Sequence, residues 1–204
     1  MNHLSPLYPP HGRIRIAEAQ RGDFDEVADL FGALHAHNAE LDELFSLAEN
    51  WRELLYDHFV RTVGTPSVLW LLAWDGPRAV GLLLMEQHLD SPLFRYRRWA
   101  ELVAIYVVPE QRGSGLAQRF LEEAYRWAAA RNLDRIQLYV TTSNERAKAF
   151  YANAGFRPVQ EIWRIAVTPV ADAASLPDPP RTTDRGSVDF VQLGHHHLGM
   201  DDHD

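Results

Sequence analysis

The fold expected for this chain is decided by residues 107–117, which read Val107-Val108-Pro109-Glu110-Gln111-Arg112-Gly113-Ser114-Gly115-Leu116-Ala117. The apolar run at residues 102–108 is typical of a buried strand, and Pro109 ends that run. Beyond the two glycines, apolar residues recur at helical spacing: Leu116, Phe120, Leu121, Ala124, Trp127 and Ala128. The stretch therefore predicts a strand, a glycine turn and a helix.

The glycine turn has the features of a phosphate-binding loop. The first N–H groups of a helix have no backbone partner and lie at the positive end of the helix dipole, so they bind anions. Gly113 and Gly115 lack a Cβ, which permits positive φ and a close approach by a pyrophosphate, and Arg112 adds positive charge. The alternative is a plain strand-to-helix connection that uses glycine only for its geometry.

Two well-known phosphate loops do not fit this turn. A Walker loop needs a lysine directly after its last glycine, and no lysine follows either glycine here. The dinucleotide fingerprint needs a third glycine where this chain has Gln118. It also needs an acidic residue at the end of the next strand, where this chain has Thr141 and Thr142.

A second block lies downstream and reads Asn144-Glu145-Arg146-Ala147-Lys148-Ala149-Phe150-Tyr151-Ala152-Asn153-Ala154-Gly155-Phe156. It matches the pattern N-x-x-A-x-x-[FL]-Y-x-x-x-G-F, and the residues from Arg112 to Ala117 match Q/R-x-x-G-x-G/A. In this order and separation, the two blocks resemble the GNAT superfamily of acyl-CoA N-acetyltransferases. The resemblance implies an α/β (α+β) fold whose mixed, mostly antiparallel central sheet splits at the fourth strand and is flanked by helices.

The resemblance also implies an activity. It predicts an enzyme that transfers an acetyl group from acetyl-CoA to a primary amine, on a small molecule or on a peptide or protein, by direct attack in a ternary complex and without a metal. A non-catalytic acyl-CoA-binding sensor or subunit is the alternative. By resemblance, cofactor binding falls to Ile105, Tyr106, Val107, Arg112, Gly113, Ser114, Gly115, Leu116, Ala117 and Asn144.

Two catalytic residues are implied by the same resemblance. Tyr151 matches the tyrosine that protonates the leaving thiolate, and its alternative role is to pack on the helix beside Phe150. Glu101 matches a position that holds a general base in some relatives, and its alternative is a surface carboxylate at the edge of the sheet. Ala104 and Tyr139 replace acidic residues often present in relatives, so the identity of the base stays open.

Composition limits the remaining possibilities. With 204 residues and 46% hydrophobic content, the chain is expected to form one domain. It has no cysteine, which rules out disulfides and thiolate metal sites. A net charge of −8 argues against nucleic-acid binding. The absence of a long apolar segment predicts a cytoplasmic protein without a membrane partner. Homodimers are common in the family and are possible here.

The order of elements predicts the domain limits. Residues 13–17 read as a strand, and helices are expected after Gly22-Asp23 and from Trp51. Strands are expected at residues 68–74, 80–88, 135–141 and within 157–167. This places the acetyltransferase domain at 13–168, between an N-terminal extension (1–12) and a C-terminal tail (169–204) with a possible strand at 187–193. The tail's histidines are metal ligands by type, but a flexible tail supplies no geometry, so no metal is predicted.

Overall fold

A computed structural model describes residues 14–167. The extension and the tail, with its possible strand and its histidines, lie outside this range. The elements follow in the order β1 (Arg15–Glu18), α1 (Phe24–Leu41), α2 (Trp51–Thr62), β2 (Val68–Asp75), β3 (Arg78–Leu89), β4 (Arg98–Val107), α3 (Leu116–Ala130), β5 (Ile136–Gln137) and α4 (Glu145–Asn153).

The strands form one sheet in the order β1-β2-β3-β4-β5. The first four strands pair antiparallel, and β5 pairs parallel to β4. A parallel pair needs a crossover connection, and α3 provides it between β4 and β5. The sheet is therefore mixed and mostly antiparallel, as the sequence predicts.

Helices cover the sheet because its strands are apolar on both faces. α1 packs against β3, β4 and α2, whereas α3 packs against β3 and β4. Side chains alternate along a strand, so Gly81 and Glu86 of β3 point to opposite faces. A Cβ on Gly81 would lie 2.8 Å from Cε2 of Phe120 in α3, and Glu86 contacts His58 of α2. α3 therefore packs on one face of the sheet, and α2 contacts the other face.

Two predicted strands differ in the structure. β5 is limited to Ile136–Gln137, and residues 157–167 form no regular element. In that second stretch Val159, Ile162, Trp163, Ile165 and Val167 are 67% to 87% exposed. A strand exists only where a neighbouring strand accepts and donates its hydrogen bonds, and no strand among residues 14–167 pairs with this stretch.

The first compact unit of the chain ends at Val159, and residues 160–167 belong to a second unit. Within the described range, no helix combines the length and the apolar character needed to cross a membrane.

Candidate active site

The sheet opens between β4 and β5. The two strands pair only at Ala100 with Ile136 and at Glu101 with Gln137, whereas β4 continues to Val107. We call the gap between residues 102–107 and residues 138–141 the β4–β5 opening. Along it, β3 pairs with one edge of β4, and no described strand pairs with the other. The backbone groups of that second edge are available to an extended ligand.

A bulge in β4 accompanies the opening. Leu84 pairs with Ala104 and Met85 pairs with Leu102, which leaves Val103 as an extra residue. A bulge bends its strand and increases the local twist. Beyond it lie Ile105, Tyr106 and Val107, which the sequence assigns to cofactor binding. The predicted split at the fourth strand is therefore present.

The glycine turn has the backbone conformation that the sequence suggests. Gly113 and Gly115 both have φ of +82°, a region that other L-residues enter only at a cost of roughly 1–2 kcal/mol. A Cβ at either position would meet no atom within 4 Å. Glycine is therefore required here by the backbone conformation rather than by crowding, and the space over the turn is open. The Ser114 hydroxyl closes the turn by donating to the Gln111 carbonyl at 2.7 Å.

The N-terminus of α3 is suited to an anion. Gly115 occupies the N-cap position, no side chain caps the helix, and its first turn has no acidic residue. Leu116 is buried and anchors this end of the helix, while Ala117 is half-buried. The first N–H groups of α3 thus lack a side-chain acceptor and lie at the positive end of the dipole. An uncapped helix end next to an open glycine turn is the kind of site that binds phosphate groups.

Arg112 lies back over the end of β4. Its Nε donates to the Val107 carbonyl at 3.3 Å, and its guanidinium carbon is 6.0 Å from the centre of the Tyr106 ring. This placement is within the range of a cation–π contact. It brings positive charge to the end of β4, next to the glycine turn.

Asn144 and Tyr151 both belong to α4. Asn144 is the N-cap, and its Oδ1 accepts a hydrogen bond from the Ala147 backbone N–H at 3.0 Å. The Tyr151 ring packs near Phe150 and Phe156, with centroid distances of 5.3 and 5.6 Å. Burial raises the pKa of Tyr151 to about 12. Its hydroxyl therefore stays protonated at neutral pH.

Glu101 is buried rather than at the surface. It is only 7% exposed, and β4 lies between β3 and β5 at this position. Its Oε2 lies 3.1 Å from Nε2 of His88. Burial also raises the pKa of Tyr139, and the Glu101 and Asp90 carboxylates add to this effect. The predicted base candidate thus sits inside a polar cluster at the closed end of the β4–β5 opening.

Three members of that cluster were not predicted from the sequence. Glu86 is the register partner of Glu101, and its Oε1 lies 2.9 Å from Nε2 of His58. His88 follows two residues after Glu86 on the same face of β3. The available signal was that Glu86 and His88 continue an alternating face that begins with buried leucines. Polar residues on a buried face point to a site rather than to a core.

A separate cleft of about 490 Å³ lies between α1 and the end of β4. Its lining includes Tyr106 and the carboxylates of Asp29 and Glu110. Arg52 pairs with Asp29 at 3.1 Å and Arg78 pairs with Glu110 at 3.7 Å, so these carboxylates are partly neutralised. In the described part of the chain, no three His, Asp or Glu side chains converge as a metal site requires.

Comparison with known proteins agrees with this geometry. The family model "Acetyltransferase (GNAT) family" matches residues 32–156, more than half of the chain. The chain belongs to this family of acyl-CoA-dependent N-acetyltransferases, which confirms the family that the two sequence blocks predict.

The chain is similar to a mycothiol acetyltransferase from Beutenbergia cavernae, with 37% identity over 94 residues. That match covers 46% of this chain and 30% of the relative, so the chain spans about a third of the relative's length. A mutant of the BH1408 protein from Bacillus halodurans has a TM-score of 0.64 and 24% identity, covering 76% of this chain and 99% of that one. An aminoglycoside N-acetyltransferase in complex with CoA has a TM-score of 0.61 and 13% identity, covering 79% and 99%. These two structures show the shared fold.

Proposed function

We propose that this chain transfers an acetyl group from acetyl-CoA to a primary amine, by direct attack of the amine in a ternary complex. The observation that carries the proposal is the β4–β5 opening beside an uncapped glycine turn. β4 leads directly into this turn, and the chain beyond β5 leads to α4 with Tyr151. In this proposal, both sequence blocks flank that opening.

Different residues along the opening would bind different parts of the cofactor. The N–H groups at residues 113–117 and the Arg112 guanidinium would hold the pyrophosphate. The backbone of Ile105, Tyr106 and Val107 would pair with the extended pantetheine arm, and Asn144 would contact it from the start of α4. When bound, acetyl-CoA supplies an activated carbonyl and a thiolate leaving group.

Groups of the protein would move the protons and stabilise the charges that develop during the reaction. Glu101 would take a proton from the amine, directly or through water, and N–H groups of β4 would stabilise the oxyanion. Tyr151 would donate a hydrogen bond to the departing sulfur. A phenol with a pKa of about 12 is a weaker acid than a thiol, whose ordinary pKa is about 8.5. Complete proton transfer from Tyr151 to the thiolate is therefore energetically unfavourable, whereas a hydrogen bond to the sulfur is not.

The acceptor is proposed only as a class, a primary amine on a small molecule or on a peptide. The named relatives include a mycothiol acetyltransferase and an aminoglycoside acetyltransferase, and acceptor choice within one fold depends on variable loops. A cytoplasmic location and a homodimer remain predictions.

The test is a turnover screen of the full chain with acetyl-CoA and a panel of aminoglycosides, polyamines, amino acids and peptides. We expect thiol release matched by an acetylated amine in the mass spectrum. CoA binding without turnover on any amine would instead support the non-catalytic acyl-CoA-binding role. Failure to bind CoA would contradict both functions.

A further inference from the structure

Two histidine–carboxylate pairs meet on the sheet face that carries α2. His58 of α2 lies 2.9 Å from Glu86 of β3, and His88 of β3 lies 3.1 Å from Glu101 of β4. Both separations are those of ion pairs, although the angles are not those of well-aligned hydrogen bonds. Glu86 and Glu101 are register partners, and like charges directly opposite each other destabilise a sheet. A proton on either imidazole offsets this repulsion.

The members of the second pair differ in their access to solvent. The Glu101 side chain is 10% exposed, whereas that of His88 is 33% exposed. The imidazole is held in place by stacking on the Trp99 ring at 4.5 Å and 19°. Trp99 in turn donates from Nε1 to Asp90 at 3.0 Å, and Arg135 pairs with the other oxygen of Asp90 at 3.0 Å. His88 thus lies between the buried Glu101 carboxylate and the solvent, and its ring is fixed by Trp99.

We propose that His88 is a positioning residue that acts through Glu101, receiving the proton that Glu101 takes from the acceptor and passing it to water. This inference rests on the acetyltransferase function proposed above. An N–H bond of the ammonium breaks, its electron pair stays on nitrogen, and an O–H bond forms on Glu101. That O–H bond then breaks as the proton moves to Nε2 of His88, which is buried, and the imidazolium loses its Nδ1 proton to water, which restores the starting charges of both groups.

The charged surroundings support this role. The contact with Glu101 raises the pKa of His88 above its ordinary value of about 6.5, burial lowers it, and the Glu86 and Asp90 carboxylates raise it further. His58 faces the cluster from α2, and Arg135 and Tyr139 face it from the β5 side. A base with a pKa near the operating pH is a better match to an alkylammonium than a carboxylate alone. His88 accepts a proton only when neutral, so it would set the acid limb of kcat/KM.

The pair itself is tested without any assay of acetyl transfer. The imidazole resonances of the full chain are titrated by NMR, and that of His88 is assigned by its loss in His88→Gln. We expect the pKa of His88 to lie above its ordinary value of about 6.5, and to fall in Glu101→Gln. Glu86→Gln should lower the pKa less, since Glu101 has the larger effect. A His88 pKa unchanged by Glu101→Gln would overturn the inference.

The proton path is tested by the pH profile of kcat/KM. His88→Gln should lower kcat about tenfold, leave KM for acetyl-CoA nearly unchanged, and remove the acid limb above about pH 6.5. His37→Gln is the matched control, because His37 pairs with Glu40 at 3.4 Å in an exposed position. Turnover with an unchanged profile in His88→Gln would overturn the relay alone. Absence of turnover with every amine in the wild type would overturn the proposed function together with the relay, even if NMR detects the pair.

Discussion

Glu101 and Gln137 form the last register pair between β4 and β5, and the two strands separate immediately beyond it. A buried carboxylate therefore lies at the closed end of the β4–β5 opening. From there β4 runs through the bulge at Val103 to the glycine turn. The opening thus has negative charge at one end and, at the other, Arg112 with the positive end of α3. Under the function proposed above, an ammonium acceptor and a pyrophosphate would be attracted to opposite ends of this opening.

We expect Gly115→Asp to abolish CoA binding. CoA should raise the melting temperature of the wild type with increasing concentration, and NAD should not. The variant places a carboxylate where the pyrophosphate would bind. Gly64→Asp is the control, since Gly64 has φ of +77° and equally open space, so it suffers similar strain away from the turn. Equal CoA affinity in Gly115→Asp would refute the loop assignment.

Replacing Tyr151 by phenylalanine removes one oxygen. If the hydroxyl assists the departing thiolate, kcat should fall roughly 10²-fold or more, while KM for acetyl-CoA moves little because the ring remains. Tyr125→Phe is the control, as Tyr125 is exposed on α3. Steady-state and single-turnover kinetics provide the measurement. Near wild-type kcat at every pH, with chemistry rate-limiting, would leave Tyr151 as a packing residue.

The ionisation of Tyr151 should not limit activity in alkaline assays. Burial raises its pKa to about 12, so no loss of activity below about pH 11 should arise from this group. An ultraviolet difference titration of wild type against Tyr151→Phe measures the pKa directly. A tyrosine titrating near its ordinary value of about 10 would show that the ring is less buried than described.

Two histidines should affect stability in opposite directions as pH changes. The folded pKa of His88 is raised, so its stabilising contribution is complete below about pH 6.5 and is lost as pH rises through the folded value. Burial lowers the pKa of His35, so acidification below about pH 6.5 destabilises the fold through this group.

Urea unfolding at several pH values tests both histidines. His88→Gln should cost more stability near pH 6 than near pH 9, and His35→Gln should flatten the acid side of the stability curve. If the free energy of unfolding of a variant changes with pH in parallel with that of the wild type, the pKa shift assigned to that histidine is wrong.

Gly81→Ala should destabilise the fold by about 1–3 kcal/mol. The added Cβ would lie 2.8 Å from the Phe120 ring and 3.1 Å from the Tyr106 carbonyl, so α3 would have to move from the sheet. Gly22→Ala is the control, because a Cβ there meets no atom within 4 Å. The free energy of unfolding in urea measures both variants. Equal effects would show that the packing of α3 on β3 is not tight.

The sequence by itself determined the family and the glycine turn, because both depend on local structure. The end of a strand, two positive-φ glycines and the start of a helix lie within residues 107–117, and backbone preferences act over that distance. The same holds for Asn144, whose side chain caps a helix beginning one residue later. Their roles in binding and catalysis stay predictions, as do those of Glu101 and Tyr151.

Only the tertiary structure decided what surrounds Glu101. His88 and Glu86 reach it because β3 and β4 pair in one register, interrupted at Val103, and a one-residue slip would move every side chain to the other face. The length of each strand likewise depends on tertiary structure, because it is set by the neighbouring strand with which it pairs. Residues 138–141 and 157–167 have the apolar character of strands, yet they form none within the described chain, since a strand requires a neighbour's hydrogen bonds.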